Sequence, residues 1–500
     1  MRKQAGLLFL LKLLKIPLNI LLLSLTAKYF GVSIEKDVWL LAFATITVID
    51  LAIWGPINET FRTKFITIKE TESQEIAINH TQSLITYFVL FSLVLVGAIL
   101  LLPVPFSQLI APDYDIYQRE ILVNMLYYVA PMLIFNQLMQ IGISILNAFE
   151  IFNVAEISSF FSLVINIILL VFLADSLEIY ALVFAQYISM FLLIAFIIYY
   201  LNKKNIKLIT FRNWNKSFSG FKMFFIFALP FFFPYFFGQI NGVVEKVLAG
   251  KIGEGTISIL DFSNRIPSLL YSIIISIITT ILVPVLSTAF LKNDVEKFND
   301  EFKKMFQLGI LIIGLIIAFI CGASMPLVFF LYDKGSIEKQ TLIEISELSI
   351  LYAISLLGIF FYIIFGMALL SSQNQKKYAL MGVLAQVFVI VLNIMLYKIV
   401  GKYTFPLSIF FSHLFFGFFM YRRYPFKKYL KLNLAKYLFT ILFLSASLYF
   451  LKRFIVFDNN ILNIASTGIL MLVILFILAV IFNLEEKKIL FGFIKRKIKL

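Results

Sequence analysis

The chain has 500 residues, 61% hydrophobic and 14% charged, with a formal net charge of +15. Soluble domains carry roughly 45–50% apolar and about 25% charged residues, so a string of soluble domains is excluded. The 57 phenylalanines and 23 tyrosines fall with aliphatic residues in long apolar runs, which suit membrane helices and not the short alternating strands of a membrane β-barrel.

The expected fold is an all-α polytopic membrane protein with about fourteen transmembrane helices, each long enough to cross the hydrocarbon layer. In chain order the spans cover 5–30, 38–58, 83–103, 120–147, 154–174, 178–201, 221–245, 257–289, 305–331, 342–371, 377–398, 403–421, 434–451 and 461–484. The first follows Met1-Arg2-Lys3 and runs to Phe30 without a small-residue cleavage site, so it reads as a retained helix and not a signal peptide. The longer spans imply tilt, or kinks at Pro230, Pro234 and Pro267.

Basic residues mark nearly every second connection. Arg62, Lys64 and Lys69 follow span 2, and Lys203 to Lys222 follow span 6. Lys292 to Lys304, Lys376 with Lys377, Arg422 to Lys436 and Lys487 to Lys499 continue the series. The intervening loops are poor in lysine and arginine and carry acids such as Asp113, Asp115 and Asp175, while the turn between spans 4 and 5 has Glu150 and no basic residue. Positively charged loops stay on the cytoplasmic side, so both termini are expected there. The net charge is then a topology signal, with contact to anionic membrane lipids as a second effect, and it implies no nucleic-acid partner.

Residues 202–220 form the longest basic connection near the middle, with Ile206, Leu208, Phe211, Trp214 and Phe218 among the lysines. That composition reads as an amphipathic linker at the membrane surface. It separates an N-lobe over 1–201 (spans 1–6) from a C-lobe over 221–421 (spans 7–12), leaving 422–500 for spans 13 and 14 and a basic tail. A faint repeat crosses the linker. Leu126-Tyr127, Gly142 and Val164-Ile165-Asn166-Ile167 are echoed by Leu351-Tyr352, Gly366 and Val391-Leu392-Asn393-Ile394, about 225 positions later. Two six-helix lobes plus two C-terminal helices is a transporter architecture, with a cavity expected between the lobes.

The chain offers little for catalysis. Cys321 is the one cysteine, His80 and His413 form no ligand pair, and there is no GxxxxGK[ST] loop. No loop supplies the paired carboxylates of a membrane glycosyltransferase. A transporter is expected, not an enzyme, and no cofactor.

Ionisable groups inside a membrane are costly and normally face a cavity or a partner. Span 1 carries Lys12, Lys15 and Asn19 on one helical face, with Lys12 close enough to the end to snorkel. Span 2 carries Thr47, Asp50, Trp54 and Asn58 on one stripe, where Asp50 is placed to neutralise a span 1 lysine. Asn136, Gln137 and Gln140 follow in span 4, and Glu156 opens span 5. In the second half, Glu245 ends span 7, and Asp261, Asn264 and Arg265 enter span 8. A cation from each lobe, Lys15 and Arg265, suits an anionic substrate, and phosphate is the obvious one.

Gln239-Ile240-Asn241-Gly242-Val243-Val244-Glu245-Lys246, Gly253-Glu254-Gly255-Thr256-Ile257-Ser258 and Asn264-Arg265 resemble the MviN/MurJ family of lipid II flippases. Phe30-Gly31, Asp37, Ala42-Phe43, Asp333-Lys334-Gly335-Ser336 and Asn374 look like further family positions. The resemblance covers most of 25–400. It implies the MOP-exporter fold and a flippase that moves an undecaprenyl-pyrophosphate-linked saccharide across the bacterial inner membrane by alternating access. It also implies roles in substrate binding for Asp37 and Arg265, and a coupling-ion site with Glu245 and Asn393. Ile16, Leu22 and Asp50 stand where the family carries arginines in its first two helices, and Lys12 and Lys15 are the candidates to replace them. The expected substrate-binding set is Lys12, Lys15, Asn19, Asp37, Asp50, Asn264 and Arg265. Membrane potential, Na+ or H+ is the expected driving force, and membrane lipids and cell-wall or polysaccharide enzymes are the expected partners. The rival readings are a flippase for a surface-polysaccharide unit, a multidrug antiporter of the same superfamily, and a scaffold for polysaccharide enzymes.

Overall fold

The computed structural model describes residues 2–149, 151, 153–204, 206, 218–229 and 232–482. Among the described residues the elements are helices and no strand occurs, as expected where lipid offers the backbone no hydrogen-bond partner and each segment must satisfy its own. In chain order these are α1 (Arg2–Phe30), α2 (Ile34–Thr71), α3 (Gln74–Leu101), α4 (Pro103–Ile110), α5 (Ile116–Val129) and α6 (Met132–Ala148). Next come α7 (Asn153–Leu177), α8 (Tyr180–Lys203), α9 (Phe218–Ala228), α10 (Phe232–Ile252), α11 (Thr256–Leu291) and α12 (Val295–Tyr332). The last are α13 (Lys339–Ser371), α14 (Gln375–Val400), α15 (Thr404–Arg422), α16 (Leu434–Leu451) and α17 (Asn460–Ile481). Helices fall on every expected span, and 10 candidate spans among the described residues are long and apolar enough to cross a bilayer. The chain is a multi-pass membrane protein.

Helix ends depart from the expected spans where the sequence turns polar. Helix α2 continues to Thr71, so Arg62, Lys64 and Lys69 lie on helix and not in a loop. Helix α12 begins at Val295, where the Asp294 side chain accepts from the Lys297 amide at 3.0 Å. Hydropathy marks where the apolar stretch ends, whereas a helix continues until a cap satisfies its terminal amides. Expected span 4 is divided into α5 and α6 at Ala130-Pro131, because proline has no N–H to continue the ladder. Helix α11 stays helical through Pro267. Pro230 and residues 207–217 of the expected linker lie outside the described residues, as does the side chain of Pro234.

The chain divides into two compact units, residues 1–258 with 334–336, and 259–333 with 337–500. In the first, α2 packs against α10, α6, α5, α9 and α3, while α1 packs on α7 and α7 on α8. In the second, α12 packs against α13, α16 and α17, and α13 against α15. Helices α9 and α10, which follow the basic linker, thus belong to the first unit.

Aromatic packing dominates the second unit. Phe302 and Phe306 of α12 meet Phe365 and Phe360 of α13 at ring-centroid distances of 5.4 and 5.8 Å. The Tyr424 ring lies 4.8 Å from Phe302, and its hydroxyl donates to Asn299 Oδ1 at 2.9 Å. Each such ring pair contributes about 0.5–1.5 kcal/mol beyond area burial. Helices α13 and α15 approach backbone to backbone, and a Cβ at Gly358 would sit 2.6 Å from the Phe410 carbonyl oxygen. Small residues permit this approach between membrane helices. Gly358→Val is therefore expected to cost about 1–3 kcal/mol by overpacking. Thermal unfolding of the purified protein in detergent measures it, and an unchanged midpoint would contradict the close approach.

Candidate functional site

Helical periodicity places Lys15 and Asn19 one turn apart on α1, and the packing of α1 on α7 brings them to Glu156. Lys15 Nζ lies 2.6 Å from Glu156 Oε2 and donates to Ser159 Oγ at 3.3 Å. The two charged side chains are 18% and 26% exposed, so solvent screens the pair weakly. Asn19 Nδ2 donates to the Lys15 carbonyl at 2.8 Å. Around this pair lies a cavity of about 320 Å³, within the usual range for small-ligand sites. Lys15 and Asn19 line it from α1, Ser158, Ser159, Ser162 and Asn166 from α7, and Gln186 and Ser189 from α8. Ser189 Oγ donates to Asn166 Oδ1 at 2.9 Å. The Ser158 hydroxyl is buried without a hydrogen-bond partner among the described residues.

The sequence pointed to Lys15 and Asn19 but gave Glu156 no role, and it missed the serines. Their signal was present as small polar residues at helical spacing within two apolar runs. The expected pairing of a span 1 lysine with Asp50 is not the one made by Lys15. Instead, Gln137 Nε2 donates a short hydrogen bond to Asp50 Oδ1, and Asn58 Nδ2 donates to Gln137 Oε1 at 3.3 Å. Asp50 is buried on α2, as is Trp54, whose ring sits 3.9 Å from that of Phe88. Thr47, expected on the same stripe, bonds back to the Phe43 carbonyl at 2.8 Å. The Lys12 side chain lies outside the described residues.

Asp37 sits elsewhere in the first unit, buried at the start of α11. Its Oδ1 accepts from the Ser258 amide at 2.7 Å and from the Ser258 hydroxyl at 2.5 Å, and its Oδ2 faces the Ile257 amide at 3.4 Å. These amides belong to the first turn of α11, whose N–H groups have no partner within the helix and whose dipole favours an anion. The turn leading into it needs Gly255, which has φ +75° and a Cβ position only 2.5 Å from Val32 Cγ1. Burial, together with the neighbouring Asp37 charge, raises the Tyr114 phenol above its ordinary pKa. Ser336 donates a short bond to the Lys28 carbonyl. The loops at Gly31, Gly253–Ser258 and Lys334–Ser336 therefore belong to one unit and contribute to one end-cap structure.

In the second unit, Asn264 and Arg265 lie on α11. Arg265 pairs with Asp261 one turn back at 3.0 Å, and its side chain remains 46% exposed. The adjoining backbone is fixed from two sides, by Tyr332 donating to the Phe262 carbonyl at 3.3 Å and Ser349 donating to the Ser263 carbonyl at 3.0 Å. Asn393, on α14, is 0% exposed, and among the described residues neither its amide nitrogen nor its oxygen has a hydrogen-bond partner. The buried Thr404 and Ser408 hydroxyls on α15 are also without one. Glu245 is on α10, in the first unit. Among the described residues, no group of three or more His, Cys, Asp or Glu side chains is placed to hold a metal ion.

Comparison with known proteins places these observations. The family model described as lipid II flippase MurJ matches residues 26–482. A solved lipid II flippase MurJ in an inward closed conformation superposes with a TM-score of 0.81 at 21% identity, covering 95% of this chain and 98% of that one. An inward-facing multidrug resistance MATE transporter of the MOP superfamily gives 0.67 at 15% identity, covering 86% and 96%. A MOP superfamily transporter from Pyrococcus furiosus gives 0.55 at 14% identity, covering 86% and 95%. At these identities the structural likeness establishes the MOP-type fold. A search of curated proteins returned no match.

Proposed function

The chain belongs to the MurJ family of lipid II flippases, and on that premise we propose that it moves lipid II across the bacterial cytoplasmic membrane by alternating access. The observation that carries the reading is the extent of the family match, 26–482, which takes in residues of both compact units. Lipid II presents a pyrophosphate, a saccharide and a polyprenyl tail, and the polar side chains of this chain divide between the first two. Arg265 is our candidate for the pyrophosphate, with Asn264 beside it. Its guanidinium is steadied by Asp261 and its side chain is 46% exposed, and arginine binds phosphate through two parallel hydrogen bonds. The Glu156 bond occupies Lys15, so we assign the Lys15 and Asn19 side of α1 to the neutral part of the headgroup. The tail stays in lipid.

We place both termini in the cytoplasm from the loop charges, with membrane lipids around the helices and cell-wall synthesis enzymes as partners. Moving one charge through 100 mV is worth about 2.3 kcal/mol, so membrane potential, Na+ or H+ is sufficient to bias the cycle. Asn393 is our first candidate for the coupling ion and Glu245 the second. A buried amide without a partner costs about 1–3 kcal/mol, which a bound cation at the oxygen would offset.

Arg265→Ala is expected to slow flipping of fluorescent lipid II in proteoliposomes about tenfold or more, the equivalent of ~1.4 kcal/mol, with Arg265→Lys intermediate. A wild-type rate in Arg265→Ala removes the pyrophosphate assignment. Ile16, Leu22 and Asp50, standing where the family has arginines, favour one second reading, a surface-polysaccharide unit as cargo. Faster movement of such a polyprenyl-linked unit than of lipid II in the same vesicles would establish it.

A further inference from the structure

We propose that the cavity beside Lys15 binds a neutral sugar ring of the lipid-linked substrate, and that Glu156 is the residue that makes it prefer a sugar to a phosphate. The inference deepens the flippase reading and rests on it for the source of the sugar.

The charge balance comes first. Among the described residues, Lys15 is the cation that lines the cavity, and its ammonium lies 2.6 Å from the Glu156 carboxylate. A phosphate bound here would bring a second anion against that carboxylate, and repulsion from Glu156 would offset its attraction to Lys15. A neutral ligand incurs no such cost. Of the three ammonium donors, Glu156 and Ser159 take two, leaving one for a ligand oxygen.

The lining chemistry agrees. Serine hydroxyls and carboxamides each donate and accept, which matches sugar hydroxyls and an N-acetyl group and is redundant for a phosphate that only accepts. Ser158, Ser162 and Asn166 form one row on α7, faced by Gln186 and Ser189 of α8. A volume of about 320 Å³ falls at the lower end of the range for small-ligand sites, which suits one ring with its substituents. Leu163 and Leu193 add the apolar wall that a ring face needs.

The test is protection of a cysteine from labelling. In full-length protein in nanodiscs, Cys321→Ala removes the native thiol and Ser162→Cys supplies a reporter, with Ser189→Cys as an independent second. The probes are free N-acetylglucosamine, inorganic pyrophosphate and lipid II. The expected result is that N-acetylglucosamine and lipid II slow maleimide labelling about threefold or more, while pyrophosphate does not. Adding Glu156→Gln is expected to let pyrophosphate protect as well, because the lysine charge is released.

Protection by pyrophosphate with Glu156 intact, or by none of the probes in either reporter, overturns the proposal. Protection by the free sugar but not by lipid II also overturns it, since the sugar is then not the substrate's. Flipping is measured on the same preparations. Intact flipping without sugar protection sinks this inference alone, whereas sugar protection without flipping sinks the transport reading.

Discussion

Replacing Lys15 by methionine or Glu156 by glutamine alone is expected to destabilise the protein by about 1–3 kcal/mol, and replacing both to recover most of that loss. The asymmetry arises because desolvation is a cost borne by each ion, while the attraction exists only when both are present. With 18% and 26% of their side-chain surfaces exposed, neither group keeps a full hydration shell, so either one left alone is a partly desolvated, uncompensated charge. Ser159 is within reach of the ammonium at 3.3 Å, but a hydroxyl does not replace a carboxylate. The double variant is neutral and loses only the packing contribution. Equilibrium unfolding in detergent of the four proteins gives the coupling energy directly. The coupling should change little between low and moderate salt, since partly buried pairs are screened less than exposed ones. Additive effects within about 0.5 kcal/mol would mean that the pair behaves as an exposed one, whose contribution is typically below 1 kcal/mol. In that case Glu156 has no hold on the charge of the cavity.

The pair also marks where reading the sequence reached its limit. That Lys15 and Asn19 share a face follows from four-residue spacing, and that a lysine in an apolar run needs a partner follows from its cost. Which partner is a tertiary fact. Glu156 lies 141 positions away, and Asp50 was closer in sequence but is held by Gln137. The serines of α7 escaped notice because a small hydroxyl in a membrane helix can bond back to its own ladder, as Ser263 of α11 does to the Ile259 carbonyl at 2.7 Å, and so leaves the apolar run intact. The apolar spans were legible because periodicity is unnecessary for a helix surrounded by lipid. The polar extension of α2 to Thr71 was not legible, because past Asn58 the helix is continued by backbone bonds and ended by a cap that hydropathy does not register. The family-like residues behaved differently again. Gly31, Asp37, Gly255, Ser258 and Ser336 are scattered along the chain yet belong to one end-cap of the first unit. A resemblance therefore locates positions under constraint without separating those that touch substrate from those that hold a helix in place.

Asp37→Ala provides that separation, with an expected loss of about 3 kcal/mol of stability. The carboxylate accepts the Ser258 amide at 2.7 Å and the Ser258 hydroxyl at 2.5 Å, and meets the Ile257 amide at 3.4 Å. Alanine would leave those first-turn donors of α11 without an acceptor in a buried place, since solvent has little access to a group only 4% exposed. Asp37→Asn keeps an acceptor oxygen and the shape while removing the charge that faces the helix dipole, so it should cost about 1 kcal/mol. Ser258→Ala removes only the hydroxyl and should cost a similar amount. Combining Ser258→Ala with Asp37→Ala should add almost nothing to the latter, since the hydroxyl bond is already gone. Unfolding midpoints of the four variants test this ranking. The second readout is transport: as a cap, Asp37 affects how much protein is folded, and the folded fraction of Asp37→Ala should flip lipid II with an unchanged apparent affinity. A lowered affinity at wild-type stability would instead make Asp37 a substrate ligand, and the bonds to Ser258 would then be a resting arrangement that lipid II breaks.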